Sequence, residues 1–321
     1  MIEAIVAGFL VSLIVTFLIM PGIIRTMKAH GMTGPDMNKP GKPEIAEMGG
    51  VGVLLGFLAG VFTVMGWMKF VQPTPFPNSP LLMASLVAIM GAALVGALDD
   101  LFDLRQRVKA ILPAFFAIPM AYYMVSTPIT LPFVGPVVFG FLMLLLVPFM
   151  MTAAANAANM LEGFNGLGAG LGIIMAMSMT VLSFLAGNLQ GIIILMPLTG
   201  ALIAFLYFNY YPAKVFPGDT LMLMMGAALA AGAINGMIEE IAVVLFVPMI
   251  AEFFVKLRGN FRARNHGFPD KDGILKYPNR VESLTHLVMK TFRVSETSFV
   301  AVFWSAQLLI SVIAISLFAF F

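Results

Sequence analysis

The stretch ALDDLFDLRQRVK, Ala97 to Lys109, sets Asp99 and Asp103 four residues apart and Asp100 and Asp103 three apart. On a helix those carboxylates share a face and repel by about 0.2–0.5 kcal/mol. Two readings stand level: a salt-bridge set completed by Arg105, Arg107 and Lys109, or a Mg²⁺ and phosphate site at a helix end. A second stretch, NAANMLEGFNGLGAG, Asn156 to Gly170, brings three asparagines. Their neutral oxygens suit a hard cation and their amides can read a base or sugar, while the glycines admit a ligand close to the backbone. Packing of the Gly-xxx-Gly sort accounts for Gly166 and Gly170 but not for the amides. In VFPGDT, Asp219 opens an apolar run and, taken alone, reads first as a helix cap. In DMNKPGKPEIAEMGG, Asp36, Lys42 and Glu44 read as a solvated loop, whereas Glu47 directly precedes an apolar run and is partly desolvated. Seven cations between Lys256 and Arg280 suit lipid headgroups or a pyrophosphate. Carboxylates, amides and guanidinium groups without a histidine cluster point to Mg²⁺ and phosphates and away from zinc. No serine lies in a Gly-X-Ser-X-Gly setting, and cysteine is absent, which excludes thiol chemistry and disulfides.

The elements that carry these patches are apolar. Hydrophobic residues make up 60% of the 321 and charged residues 11%, against about a quarter charged in a soluble domain. Apolar runs predict ten helices, near 4–26, 47–68, 81–98, 108–126, 135–153, 167–186, 191–209, 221–236, 241–257 and 297–320. The first lacks a basic leader and a cleavage site and is expected to be a span rather than a signal peptide. Prolines 113, 119, 148, 197 and 248 are expected to mark kinks. If the spans alternate, one face receives 17 of the 18 Lys and Arg residues, leaving Lys69 opposite, and the positive-inside rule makes that face cytoplasmic. Leu284, Leu287, Val288 and Phe292, at helical spacing beside Lys290 and Arg293, read as a short helix, either interfacial or simply at the surface. The fold class expected is an all-α polytopic membrane protein of about ten helices, one domain over 1–321, with its active-site loops on the cytoplasmic face. The chemistry expected is phosphoryl-group transfer at a membrane surface. A transporter or flippase for a nucleotide sugar or lipid phosphate is the alternative, although the outer loops offer little polar beyond Glu239 and Glu240.

Four ordered motifs, DMNKPGKPEIAE, DDLFDLRQRVKAILP, NAANMLEGFNG and VFPGDT, resemble those of the polyprenyl-phosphate N-acetylhexosamine-1-phosphate transferases. The similarity is greatest to the eukaryotic and archaeal UDP-GlcNAc:dolichyl-phosphate GlcNAc-1-phosphotransferases and spans nearly the whole chain. The resemblance implies a Mg²⁺-dependent enzyme, with Mn²⁺ as a substitute, that joins a UDP-N-acetylhexosamine to a polyisoprenyl phosphate. It implies that Asn159 and Asp219 hold the metal and that Asn156 supports them. Gly163, Asn165 and Phe216 are similar to the uridine pocket, with Glu47 near the nucleoside. Asp99, Asp100 and Lys109 are similar to the acidic pair and lysine around the phosphates, and Arg262 and Arg264 to the pyrophosphate-binding pair. Ala263 stands where the eukaryotic enzymes have histidine, with His266 as its replacement. The triple-histidine loop of the bacterial cell-wall relatives is missing, which speaks against a MurNAc-pentapeptide donor. No nucleic acid is expected as a partner, and a homodimer is left open. The membrane is the plasma membrane for a prokaryotic source and the endoplasmic reticulum for a eukaryotic one.

Overall fold

The protein, seen in a computed structural model that describes residues 1–72, 79–131 and 135–320, is a polytopic all-α membrane protein. Its helices in chain order are α1 (Ile2–Ala29), α2 (Gly50–Phe70), α3 (Ser79–Phe102), α4 (Gln106–Ile111), α5 (Pro113–Met124), α6 (Met143–Met160) and α7 (Leu167–Leu185). They continue as α8 (Gln190–Asn209), α9 (Gly218–Gly236), α10 (Glu239–Leu245), α11 (Val247–Arg258), α12 (Leu284–Thr291) and α13 (Glu296–Phe320). Among the described residues, eight helices are long and apolar enough to cross a membrane: α1, α2, α3, α6, α7, α8, α9 and α13.

The other two predicted spans are interrupted. The 108–126 run is divided at Leu112 into α4 and α5, and the 241–257 run at Phe246 into α10 and α11. Pro113 and Pro248 lie in the first turn of the second piece in each case. A proline there lacks only an N–H that has no helical partner, so the helix restarts at it. Pro119, Pro148 and Pro197 instead lie inside helices that run on past them.

Helix α9 is the axis of the bundle, with 89% of its spanning window buried, and α2, α3, α6, α7 and α8 pack on it. Lipid chains are as apolar as leucine, so such packing relies on close backbone approach at small residues. Gly96 of α3 provides it at the α9 N-terminus, where a Cβ would lie 2.6 Å from the Cα of Thr220. Lower on α9, a Cβ on Gly226 would lie 2.6 Å from the Cα of Ala155 in α6. The result is that the ends of α3, α6 and α9, which carry three of the four polar patches, are drawn together.

The connecting segments are tied to that end. Thr33–Pro35 pairs antiparallel with Glu44–Ala46, and Phe216 N–H donates to the Ala46 carbonyl at 2.7 Å. Gly49 and Gly50 N–H in turn donate to the carbonyls of Phe216 and Pro217, both at 2.9 Å. In consequence the loop before α2 is sewn to the loop before α9.

Replacing Gly96 with Val would drive a branched side chain into the Thr220 backbone, an overpacking that costs about 1–3 kcal/mol. The expected result is a lowered Tm in detergent. Gly66→Ala, at a position where nothing lies within 4 Å of the added atom, should leave Tm unchanged. Equal melting of the two variants would contradict a close α3–α9 seam.

Candidate functional site

Asp99 and Asp100 lie in the last turn of α3, which ends at Phe102, and the chain then reverses through Asp103, which adopts φ +49°. Asp99 Oδ1 accepts from the Leu104 N–H at 2.9 Å, which holds that reversal, and its Oδ2 accepts from Lys109 Nζ at 2.7 Å. Lys109 is 8% exposed and also contacts the Asp219 carboxylate. Asp100 has a different task. Its Oδ1 accepts from the Asp219 N–H at 2.7 Å, and its Oδ2 accepts from the Thr220 N–H at 3.0 Å and the Thr220 hydroxyl at 2.6 Å. Helix α9 has no side-chain cap from its own N-cap residue, so Asp100 supplies from α3 the negative charge that a helix start favours. Gly218, at φ +67°, makes room: a Cβ there would sit 3.0 Å from the Asp100 carboxyl carbon.

Of the three cations expected to offset these aspartates, only Lys109 does so; Arg105 and Arg107 are exposed. Asn156, at the end of α6, donates to the Ala110 carbonyl at 3.1 Å and to the Thr152 carbonyl at 2.8 Å. It therefore fastens α6 to the helix that bears Lys109.

A cavity of about 430 Å³ opens beside this cluster. It brings together Asn159, Gly163, Asn165, Phe216, Asp219, Arg264 and His266 from the predicted set. Glu47, Asp99, Asp100, Lys109, Asn156 and Arg262 do not line it, although Lys109 and Asp100 reach it through Asp219. Glu47 is half-buried, and its pKa is raised by burial and then by the negative charges of Asp100 and Glu44. Arg262 is exposed. His266 has a lowered pKa through burial and the nearby cations Arg264 and Lys42.

Several residues of the site carried no sequence cue. Asp36, expected in a solvated loop, is only 3% exposed and bonds to Asn165; the loop is folded over the site rather than dissolved in water. Lys42 and Glu44 are exposed, as a solvated loop requires. Asn38 bridges segments far apart in the chain: its Nδ2 donates to the Gly163 carbonyl at 2.7 Å and its Oδ1 accepts from the Gly267 N–H at 2.8 Å. Glu162 lines the cavity with its Oε2 shut from solvent, and burial pushes its pKa up to about 7 against the opposing pull of the Gly168 and Gly163 amides.

The cationic segment after α11 is held by a second buried set. Glu252 is 0% exposed and accepts from the Ser283 hydroxyl and the Leu284 N–H, each at 2.7 Å, so α11 caps α12. Lys256 lies 3.5 Å from Glu252 and donates to the Met160 carbonyl at 2.5 Å. Asn265 donates to the same carbonyl at 2.8 Å and fills the space beside Gly163. Helix α12 turns Thr285, His286 and Met289 inward and leaves Leu287 and Lys290 exposed. His286 stacks on Tyr277, accepts at Nδ1 from the Glu282 N–H, and donates from Nε2 to the Arg264 carbonyl at 2.8 Å. That pair of partners defines the neutral tautomer. In the sequence the one trace of this arrangement is Glu252 itself, an acid inside the apolar 241–257 run.

Residues 82–237 match glycosyl transferase family 4. The chain is similar to a Saccharolobus solfataricus protein with the provisional name UDP-N-acetylglucosamine--dolichyl-phosphate N-acetylglucosaminephosphotransferase. The two are 38% identical over 98% of this chain and 97% of that one. A Sulfolobus acidocaldarius protein with the same provisional name is 35% identical over 97% of this chain and 94% of its own length. The Schizosaccharomyces pombe protein named UDP-N-acetylglucosamine--dolichyl-phosphate N-acetylglucosaminephosphotransferase is 30% identical over 81% of this chain and 70% of its own length.

His286 has a pKa below its ordinary value, chiefly through burial, so folding favours the neutral ring. Its contribution is present above the unfolded pKa of about 6.5 and is lost as pH falls from there through the lower folded value. Hydrogen exchange at the Glu282 amide, which donates to His286 Nδ1, corrected for intrinsic rate, should therefore rise on acidification below about pH 6.5. The rise should be absent in His286→Gln, and the same rise in that variant would assign it to another group.

Proposed function

Since the chain belongs to glycosyl transferase family 4, we propose that it transfers N-acetylglucosamine 1-phosphate from UDP-N-acetylglucosamine to a polyisoprenyl phosphate of the dolichyl type, releasing UMP. The observation that carries this reading is the contact of Lys109 with Asp219, which lines a cavity that also holds amides and the Arg264 guanidinium. The relatives' names speak for transfer and not for transport.

In this proposal the nucleoside lies between Gly163 and Phe216, with Asn165 at the edge of the base and Glu47 behind. Arg264, with Arg262 and His266 nearby, meets the pyrophosphate. The donor set fits a hard divalent ion: Asn159 offers an amide oxygen and Asp219 a carboxylate, and both line the cavity. Among the described residues no group of three or more His, Cys, Asp or Glu could hold a metal alone. The remaining ligands would be phosphate oxygens and waters, the usual pattern for Mg²⁺, with Mn²⁺ able to take its place. When bound, such an ion neutralises charge on the pyrophosphate.

An oxygen of the lipid phosphate attacks the β-phosphorus, the bond from that phosphorus to the bridging oxygen breaks, and UMP leaves. A phosphate monoester with a second pKa of about 6 is largely dianionic at neutral pH, so no strong base is needed. Both oxygens of Asp99 and both of Asp100 are already engaged, which favours positioning over proton removal. Lys109, held by Asp99, brings a cation to the two meeting anions. A long isoprenoid stays in the hydrocarbon, so the acceptor reaches the site laterally at headgroup depth. The face that collects 17 of the 18 basic residues is then the cytoplasmic one.

Purified protein in detergent, given Mg²⁺, UDP-N-acetylglucosamine and a dolichyl phosphate, should release UMP only when the lipid phosphate is present. Asp219→Ala and Lys109→Met should each lower kcat by about 10²–10³-fold, as loss of a preorganised charge does. Retained activity in both variants would remove this cluster from the reaction. Because the chain has no cysteine, one cysteine placed at Lys271 can report sidedness. It should react with an impermeant maleimide only from the cytoplasmic side, and labelling from outside would reverse the orientation.

A further inference from the structure

Asn165 is held at two points by two carboxylates. Its backbone N–H donates to Glu296 Oε1 at 2.9 Å and its side-chain Nδ2 to Asp36 Oδ2 at 3.0 Å. Both acids converge on one cation, since Lys39 Nζ lies 2.7 Å from Asp36 and 2.6 Å from Glu296, over the face of Tyr211. The other oxygen of Asp36 accepts from the Asn38 N–H at 3.2 Å. Asp36, Asn165 and Glu296 are 3%, 3% and 4% exposed, so water does not compete for these bonds.

The two ends of an asparagine amide differ in chemistry but hardly in shape, so its orientation must follow from its partners. An ionised carboxylate only accepts. Asp36 therefore requires the NH₂ end of Asn165, and the carbonyl end is the one left over. Among the described residues no donor reaches that oxygen, and Asn165 lines the cavity. From Asn165 the cavity is thus offered an acceptor and not a donor.

We propose that Asp36, acting through Asn165, is the residue that determines which pyrimidine the site takes. The inference rests on the nucleotide reading above and adds to it the origin of base choice. Uracil carries an N–H at N3, a donor that satisfies the Asn165 oxygen. Cytosine carries a lone pair at N3, which leaves two acceptors facing each other and both desolvated. A site built around a buried hydrogen bond rejects a ligand that cannot complete it much more strongly than an apolar pocket rejects a change of size. Asp36 touches no substrate in this arrangement and is a positioning residue.

The test is calorimetric titration of the full-length protein with UMP and CMP, comparing wild type with Asp36→Asn. Asparagine at 36 can accept or donate, so Asn165 is free to turn over. Wild type should prefer UMP by tenfold or more, and Asp36→Asn should bring the two nucleotides to within about threefold. A merely structural role for Asp36 would weaken both ligands and leave their ratio as it was, which would overturn the proposal. Glu296→Gln, which loosens the same loop without freeing the amide, should lower both affinities at constant ratio; a collapsed ratio there would also overturn it. Should Asp36→Asn not fold, wild type titrated with 3-methyluridine and 5-methyluridine monophosphates decides. Loss of tenfold or more confined to the N3-methyl ligand supports an acceptor facing N3, and equal binding of the two refutes it. Failure of wild type to bind UMP at all would bring down the nucleotide reading, a result distinct from an unchanged ratio.

Discussion

The capping of α9 by Asp100 is the interaction on which the rest of the site depends. A helix start leaves backbone N–H groups without helical partners, and inside a bundle there is little water to satisfy them. Helix α9 is the most enclosed of the spans, and its opening residues meet a carboxylate supplied by α3. That single side chain satisfies two N–H groups and a hydroxyl, fixes the depth of α3 against α9, and sets the direction in which Asp219 leaves the backbone. Lys109 then follows, since it reaches Asp219 from one side and Asp99 from the other.

The bilayer imposes a division on the whole chain. Polar groups are tolerated at one end of the bundle, where each is matched to a partner, and the spans between are closed by hydrocarbon and glycine seams. The cationic segment after α11 shows how a long connection is kept in register without much secondary structure. Glu252, Lys256, Asn265 and His286 secure it to α6 and α12 through backbone carbonyls and N–H groups, so Arg264 and His266 are carried to the cavity by bonds that leave their own side chains free.

Much of this was legible in the sequence, and the boundary of legibility has physical causes. Apolar runs gave away the spans because length and hydropathy are local properties. Pro113 and Pro248 interrupted two of them, since a proline in a run can bend a helix or restart one and only the surrounding packing decides. Asn159, Asn165 and Asp219 stood out because amides and acids are conspicuous in hydrocarbon. Asp36 did not, because its flanking Pro, Gly and Lys residues look like a solvated turn while its partner Asn165 lies 129 positions away. Asn38 was hidden for the same reason, bonded to glycines 125 and 229 positions distant. Asp100 looked interchangeable with Asp99 until the α9 N-terminus was seen to occupy it.

Two lysines of this end, Lys39 and Lys109, each serve two carboxylates. Removing one of those lysines would strand a pair of acids in a medium that tolerates unpaired charge poorly, and removing one acid would still leave the other balanced. The triads are thus asymmetric in how they can change over time. On charge alone, and leaving aside the tasks given to Asp219 and Asp36, an acid is replaced before its lysine, so these positions constrain the order of substitution as well as its outcome.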